Sequence, residues 1–343
     1  MGCVACRADD CCSPMSADHV AEAGPSSVDC PVCGHPGMRW LPHSWSLVDV
    51  AFCTKCSVCV QRGAIPAPGA VLGRYRRGEY WRSHSRMGRS LEHGLLLWRE
   101  FAVVSRLFEV EDMLGQPVSS GAAVLEVGCG PGELLSRLRR ERSCKVWGLE
   151  PSPREAYLAR SRHGINVVSA DGSFLPYCCT FDLILAFHVL EHVSDPVAVV
   201  RELLGFLSFD GHLVLECPNL ASPTAGMPLV QFFEPAHIWT FSLSALKRIV
   251  YSAGGQVVSH SDSGFIRMLV TKASSDDHQA SFEPHDNAQA SEHGEAVWKR
   301  LDQYSTSYRW SWTRAWWVWS RFVVGIRILM LLTGNMLGVV GKR

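Results

Sequence analysis

The side chains best able to do acid, base or metal chemistry in this 343-residue chain fall in three groups. In the first, His188, Glu191 and His192 stand at i, i+3 and i+4, a spacing that presents all three on one face of a single helical turn. His237, in FFEPAHIW, comes from a later loop expected at the same edge. The four offer a general base, His192 or His237, or a divalent-cation site of Glu191, His192 and His237 that would activate a hydroxyl. A third reading makes one or more of them turn caps and cleft walls. The second group is Cys30-Pro-Val-Cys33-Gly34 and Cys53-Thr-Lys-Cys56, with nineteen residues between Cys33 and Cys53. Each Cys-x-x-Cys makes a tight knuckle whose two thiolates fit adjacent corners of a tetrahedron, so two of them close a four-sulfur shell suited to structural Zn2+. A redox pair is the rival for a lone Cys-x-x-Cys, and Cys59 is either a spare thiol or an alternative fourth ligand. The third group consists of the carboxylates Glu126, Glu150 and Asp171 around the glycines Gly128, Gly130 and Gly132.

The elements that must hold these groups follow from periodicity. AAVLEVGCGPG at 122–132 is a short apolar run that breaks into glycines before a helical pattern, Glu133 to Arg142, giving strand, turn and helix. The glycines follow G-x-G-x-G, which lets backbone pass close to a nucleotide-like ligand at the open end of a parallel sheet. Position 133 is Glu, so the pyrophosphate fingerprint G-x-G-x-x-G is not met, and Glu126 disfavours an anion while suiting a cationic ligand. Strand and helix then alternate: Lys145 to Leu149, a helix near Arg154 to Arg162, Ile165 to Ala170, Phe181 to Phe187, a helix from Pro196 capped by Asp195, and His212 to Cys217. The fold class expected is α/β, a doubly wound Rossmann-like sheet with a small N-terminal zinc ribbon and a helical C-terminal tail. Glu150 and Asp171 fall at strand ends, where ligands sit in such sheets, and a ribose diol and an adenine amino group are their natural partners.

Composition narrows the class. Lys and Arg total 33 against 33 for Asp and Glu, so the whole chain gives no electrostatic reason to expect nucleic acid as a partner. The chain is too long for its fourteen cysteines to imply a small disulfide scaffold, and its start lacks the apolar core of a signal peptide. A reducing, cytoplasmic setting is expected. Residues 1–29 read as a disordered tail in which Cys3, Cys6, Cys11 and Cys12 are too irregularly spaced for a metal assignment, and Cys6 stands where myristoylation needs Ser or Thr. The expected divisions are then 30–62, ribbon; 63–120, linker and helical segment; 121–273, main domain; 274–296, flexible acidic insertion; and 297–343, a Trp-rich basic segment.

VLEVGCGPG, GLEPS, ADGSFLP, FDLILAFHVLEH and GHLVLECPN, in that order, resemble the class I S-adenosylmethionine-dependent methyltransferases over about Gly121 to Ala273. The resemblance implies that Gly128, Gly130 and Gly132, with Glu126, approach the methionine part of S-adenosylmethionine, that Glu150 holds the ribose hydroxyls, and that Asp171, followed by Gly172, reads the adenine. The cysteine ribbon followed by Tyr75 and Tyr80-Trp81 is similar to bacterial methyltransferases associated with envelope saccharides or natural products. The expected activity is methylation, on oxygen by preference, of a small-molecule or saccharide-linked acceptor. The stretch 188–192 with a later His also resembles ubiquinone-type and small-RNA 2′-O-methyltransferases, in which E-x-x-E-H is found; here His188 replaces the first Glu, which weakens the case for magnesium. The alternative from another class is a scaffold protein that uses ribbon and tail to dock partners and has lost turnover.

In the tail, Trp298, Trp310, Trp312, Trp316, Trp317 and Trp319 are half of the chain's twelve tryptophans, and the basic residues from Arg314 onward have no acidic counterpart. This composition suits peripheral contact with the cytoplasmic face of a membrane. Packing on the main domain is the alternative, because Trp312, Trp316, Trp319, Val323 and Ile326 share a helical face.

Overall fold

The computed structural model describes residues 29–62, 73–74, 76–77, 92–168, 180–223, 227–273 and 287–310. Asp171, Gly172, the four most N-terminal cysteines and the tryptophans beyond Trp310 lie outside these residues.

Two sheets organise the described residues. The larger has seven strands: β4 (Ala123–Val127), β5 (Lys145–Leu149), β6 (Asn166–Val168), β7 (Phe181–Phe187), β8 (Leu207–Pro218), β10 (Gly255–Ser261) and β11 (Phe265–Lys272), in the order β10-β11-β8-β7-β4-β5-β6. Strands β8, β7, β4, β5 and β6 run parallel, and β11 and β10 are antiparallel additions. The centre of β4 and nearly all of β7 are buried on both faces, which is why their sequences, apart from Glu126 and the exposed Asp182, are apolar and not alternating. Helices cover both sides. Val103, Leu107, Leu135, Leu138, Ala156 and Ala159 of α1 (Glu92–Leu114), α2 (Glu133–Arg142) and α3 (Pro153–His163) close one face against Val124, Leu183 and Leu185. Val200, Leu203, Leu246 and Ile249 of α4 (Pro196–Gly205) and α6 (Leu243–Ser252) close the other against Leu125, Ile184 and Leu215. Chain direction across the sheet reverses between β4 and β7, so the ends of these two strands flank the crevice in which doubly wound sheets bind ligands.

Local chemistry sets the helix starts. Ser152 and Asp195 cap α3 and α4 through Glu155 N and Ala198 N, each with Pro in the first turn, as expected of a fixed φ and a missing donor at that position. Ser242 caps α6 through Ala245 N.

The smaller sheet joins the ribbon to the main domain. Strands β1 (Arg39–Trp40), β2 (Val50–Phe52) and β3 (Cys59–Gln61) form an antiparallel meander, and β3 also pairs with β9 (Trp239–Thr240), placing Cys59 opposite Thr240 and Val60 opposite Trp239. Beneath it lies a third core of Leu41, Trp45, Phe52, Phe232 and Phe233, which includes a short helix, α5 (Leu229–Phe232).

Into that core packs α7 (Asn287–Trp310), which departs from expectation in two ways. It begins inside the stretch read as a flexible insertion, because Val297 and Leu301, 1% and 0% exposed, reward helix formation by burial. Trp298, grouped above with an interfacial tail, lies instead against Trp45 and Phe52, at centroid distances of 5.2 and 5.4 Å, with the Arg39 guanidinium 3.7 Å from its ring centre. No helix among the described residues is long and apolar enough to cross a membrane.

Candidate active site

The turn after β4 carries Gly128, Gly130 and Gly132 at φ 71°, 52° and 80°, a left-handed region that glycine enters at little cost. A Cβ on Gly132 would sit 3.1 Å from that of Ala159, whereas one on Gly130 would meet no protein atom within 4 Å, so the turn opens onto space. Glu150, at the end of β5, accepts from Gly130 N through one carboxylate oxygen and from Ser152 N through the other, both at 2.8 Å. Burial raises it to about 7 in spite of these bonds. Glu126, 5% exposed, is raised to about 8 by burial, and its Oε2 has no hydrogen-bond partner. A buried, unpartnered carboxyl beside an open glycine turn fits a ligand that brings its own donors or cation, as the methionine and ribose parts of S-adenosylmethionine would.

On the other side of the crevice, β7 ends at His188, whose φ is 54°, and a single 3-10 turn, Leu190–His192, follows. The regular helical turn expected across 188–192 is therefore absent, and the residues separate into two functions. His188 turns toward Glu191 Oε1 at 3.0 Å and Glu216 Oε1 at 3.1 Å. Burial works against its charge, but the two carboxylates outweigh it and raise His188 to about 9, so it is a cation and no base near neutrality. Burial likewise raises Glu191, and His188 with the neighbouring histidines overcomes it, leaving the carboxylate at about 2. Glu216 is also gripped by Arg267 at 2.6 Å, with Arg106 at 3.7 Å, and Arg267 reaches Glu109 at 3.2 Å.

His192 faces the other way. Its Nδ1 meets Ala236 O at 2.9 Å, which fixes the proton on Nδ1 and the basic lone pair on Nε2. Burial lowers it to about 4, so the ring is neutral. The His237 ring lies with its centroid 4.9 Å from that of His192, its Nδ1 facing Phe232 O at 3.3 Å and its Nε2 facing Glu234 Oε1 at 3.2 Å. Glu191, His192 and His237 offer ligand atoms within 4.8 Å of one another, and Glu191 Oε2 has no hydrogen-bond partner. Three of the four side chains expected at the mouth of the sheet thus converge, and His188 braces them from behind.

Cys30, Cys33, Cys53 and Cys56 bring their sulfurs within 4.8 Å of one another, a set compatible with tetrahedral Zn2+. Hydrogen bonds within the cluster dominate its acidity: Cys30 above all pushes Cys33 down and Cys53 to about 7, while Cys30 and Cys56 are pushed up. Cys59 stands outside the cluster, 1% exposed, as a member of the apolar core under the ribbon.

Sequence reasoning missed Glu216, Arg106 and Arg267. Glu216 had a visible signal, a lone carboxylate inside the buried run of β8, but the arginines reach it from α1 and β11 and no spacing connects them.

The methyltransferase-domain family model matches residues 101–260. This part of the chain, with its doubly wound sheet and glycine turn, matches a methyltransferase domain. Among curated proteins, a tRNA U34 carboxymethyltransferase of Idiomarina loihiensis is 28% identical over 141 residues, covering 37% of this chain and 43% of the relative. A ubiquinone biosynthesis O-methyltransferase of Xanthomonas oryzae pv. oryzae is 32% identical over 108 residues, 29% of this chain and 44% of the relative. The chain thus spans less than half the length of these relatives. Among solved structures, magnesium protoporphyrin IX methyltransferase from Synechocystis PCC 6803 with bound SAH aligns with a TM-score of 0.43 at 15% identity, over 60% of this chain and 99% of the other.

Proposed function

We propose that this chain transfers a methyl group from S-adenosylmethionine to a hydroxyl of a small-molecule or saccharide-linked acceptor. The observation that carries this reading is the placing of two half-sites on the strands that flank the reversal of the sheet. A glycine turn with an unpartnered buried carboxyl follows β4, and a neutral, tautomer-fixed imidazole follows β7. The cofactor, when bound, supplies an electrophilic methyl carbon. Gly130 and Glu126 leave room and charge for its amino-acid end, and Glu150 exchanges its backbone donors for hydroxyls. On the acceptor side, His192 Nε2 takes the hydroxyl proton as the new bond to carbon forms, and the Glu191 carboxylate beside it stabilises the resulting imidazolium.

A second reading rests on the convergence of Glu191, His192 and His237, with one Glu191 oxygen unpartnered: a divalent cation held there would activate the hydroxyl instead. We place it second because both nitrogens of His237 already face oxygens and a cation would have to displace Glu234.

Calorimetry with S-adenosylhomocysteine tests the cofactor half. The expected result is binding by the wild type and loss of binding in Gly130→Val, whose side chain would fill the open space over the turn. No binding by zinc-loaded, folded protein refutes the reading. If methyl transfer to a hydroxylated acceptor persists in chelator and fails in His192→Gln, the base is supported over the cation.

A further inference from the structure

Between Phe233 and Trp239 the chain has no regular secondary structure, yet this stretch carries His237 and supplies the carbonyl that fixes His192. Its backbone must therefore be held from outside. The domain side provides part of the hold: Ile238 N donates to Glu191 O at 2.8 Å, and Trp239 Nε1 donates to Val193 O at 2.8 Å. The remainder comes from one residue of the ribbon. Gln61, at the end of β3, donates its backbone N–H to Ile238 O at 2.8 Å. Its side-chain amide, oriented to satisfy its surroundings, donates to Pro235 O and His237 O, both at 3.2 Å. With His192 on Ala236 O, four consecutive carbonyls, 235 to 238, are taken, three of them by Gln61.

We propose that Gln61 is a positioning residue for the acceptor-side histidines, the point through which the cysteine ribbon sets the geometry of the His192 and His237 pair. The proposal rests on the reading of these histidines as the acceptor side of a methyltransferase, and it gives the ribbon a task beyond its own folding. Gln61 lies two residues beyond Cys59 on the only strand that pairs with both the ribbon and the main domain among the described residues. A second clasp keeps the ribbon in register: Ser242 and Ser244 donate their hydroxyls to Cys56 O at 3.0 and 3.3 Å, at the start of α6. Because the segment has no ladder of its own, loss of two donors at Gln61 frees two carbonyls and lets the His237 backbone sample other orientations. The Ala236 carbonyl that fixes the tautomer of His192 would move with it.

The test compares full-length wild type with Gln61→Leu, which keeps side-chain bulk and the backbone bond but removes both side-chain donors, and with Gln61→Lys, which restores a donor of similar reach. Nitrogen-15 spectra of the histidine rings read the positions directly. The expected result for Gln61→Leu is a change of His192 from one Nδ1–H tautomer to a mixture, with amide exchange across residues 233–241 faster by about tenfold. Zinc content and affinity for S-adenosylhomocysteine should stay at the wild-type values, and Gln61→Lys should largely restore the ring spectrum. Ring spectra and exchange unchanged in Gln61→Leu overturn the proposal, and so does loss of zinc from that variant, which would make Gln61 a structural part of the ribbon. If the wild type itself fails to bind S-adenosylhomocysteine, the methyltransferase reading falls, while the spectra still decide what Gln61 does.

Discussion

Glu126 provides a quantitative test of the cofactor side. Its carboxyl is held near 8 by burial, so the structure carries it protonated at pH 6 and about half ionised at pH 8. A ligand ammonium placed against its unpartnered oxygen needs the ionised form. Producing that form at pH 6, two units below its value, costs about 2.7 kcal/mol; the cost falls to about 1.4 at pH 7 and vanishes above 8. Affinity for S-adenosylhomocysteine should therefore rise about fivefold from pH 7 to pH 8 and level off above, with close to one proton released on binding at pH 7 and about half of one at pH 8. Below pH 7 the slope should steepen, because Glu150 titrates at about 7. Calorimetry in buffers of different ionisation enthalpy measures both quantities. The same residue makes a reciprocal prediction for the ligand-free fold. A carboxyl whose folded value lies above its unfolded one costs stability as pH rises from 4.5 through 8, so Glu126→Gln should stabilise the protein at pH 8.5 by up to about 5 kcal/mol while weakening binding there. Affinity flat between pH 6 and 8, or a less stable Glu126→Gln at pH 8.5, refutes the reasoning.

Further outcomes are expected elsewhere. His188→Gln should destabilise by about 3 kcal/mol near pH 6; because the folded value of about 9 exceeds the unfolded 6.5, the difference is fully present below pH 6.5 and is lost as pH rises through 9, which denaturant unfolding at pH 6 and 9.5 checks. Metal analysis of protein purified without chelator should find zinc, and Cys33→Ser with Cys53→Ser should abolish it and unprotect residues 30–61 in hydrogen exchange. Trp298→Ala should cost about 3 kcal/mol locally, seen as faster exchange in α7 with the sheet strands unaffected. Gly294→Ala, normally a gain of about 1 kcal/mol in a helix, should instead lift α7 from the ribbon, because its Cβ has no room beside the Thr54 backbone.

What the sequence makes legible here is what is encoded locally. Strands β4, β5 and β7 and helix α2 are marked by apolar runs that stop at glycines or caps, and their ends fall where periodicity places them. The two Cys-x-x-Cys knuckles are legible for the same reason, each being a tight turn whose geometry is fixed within four residues. The turn at 188–192 shows the limit: i, i+3, i+4 spacing implies a common face only if the backbone is helical, and here His188 takes a left-handed conformation with its backbone N–H donating to Glu216 O on the neighbouring strand. Strands β1, β3 and β9 are two or three residues long and exist through their partners, so no pattern within them announces a strand. Gln61 and Arg267 illustrate the same point, since their importance comes from neighbours 174 to 177 residues away in one case and 51 in the other.

The pairing of β3 with β9 also bears on how the chain is made. The ribbon emerges from the ribosome first, but the strand that completes its sheet lies about 180 residues later, so the ribbon must wait with one edge open while the intervening domain is synthesised. An open strand edge is a template for pairing with other chains. Early metal loading, by closing the knuckles before β9 arrives, would leave the β3 edge as the one still to be covered, and docking of β9 would then report that the main domain has folded. A chain cut between ribbon and domain would leave two unpaired edges, β3 on one piece and β9 on the other. The two parts are thus sequential in synthesis and interdependent in assembly, and low solubility is the expected consequence of expressing either alone.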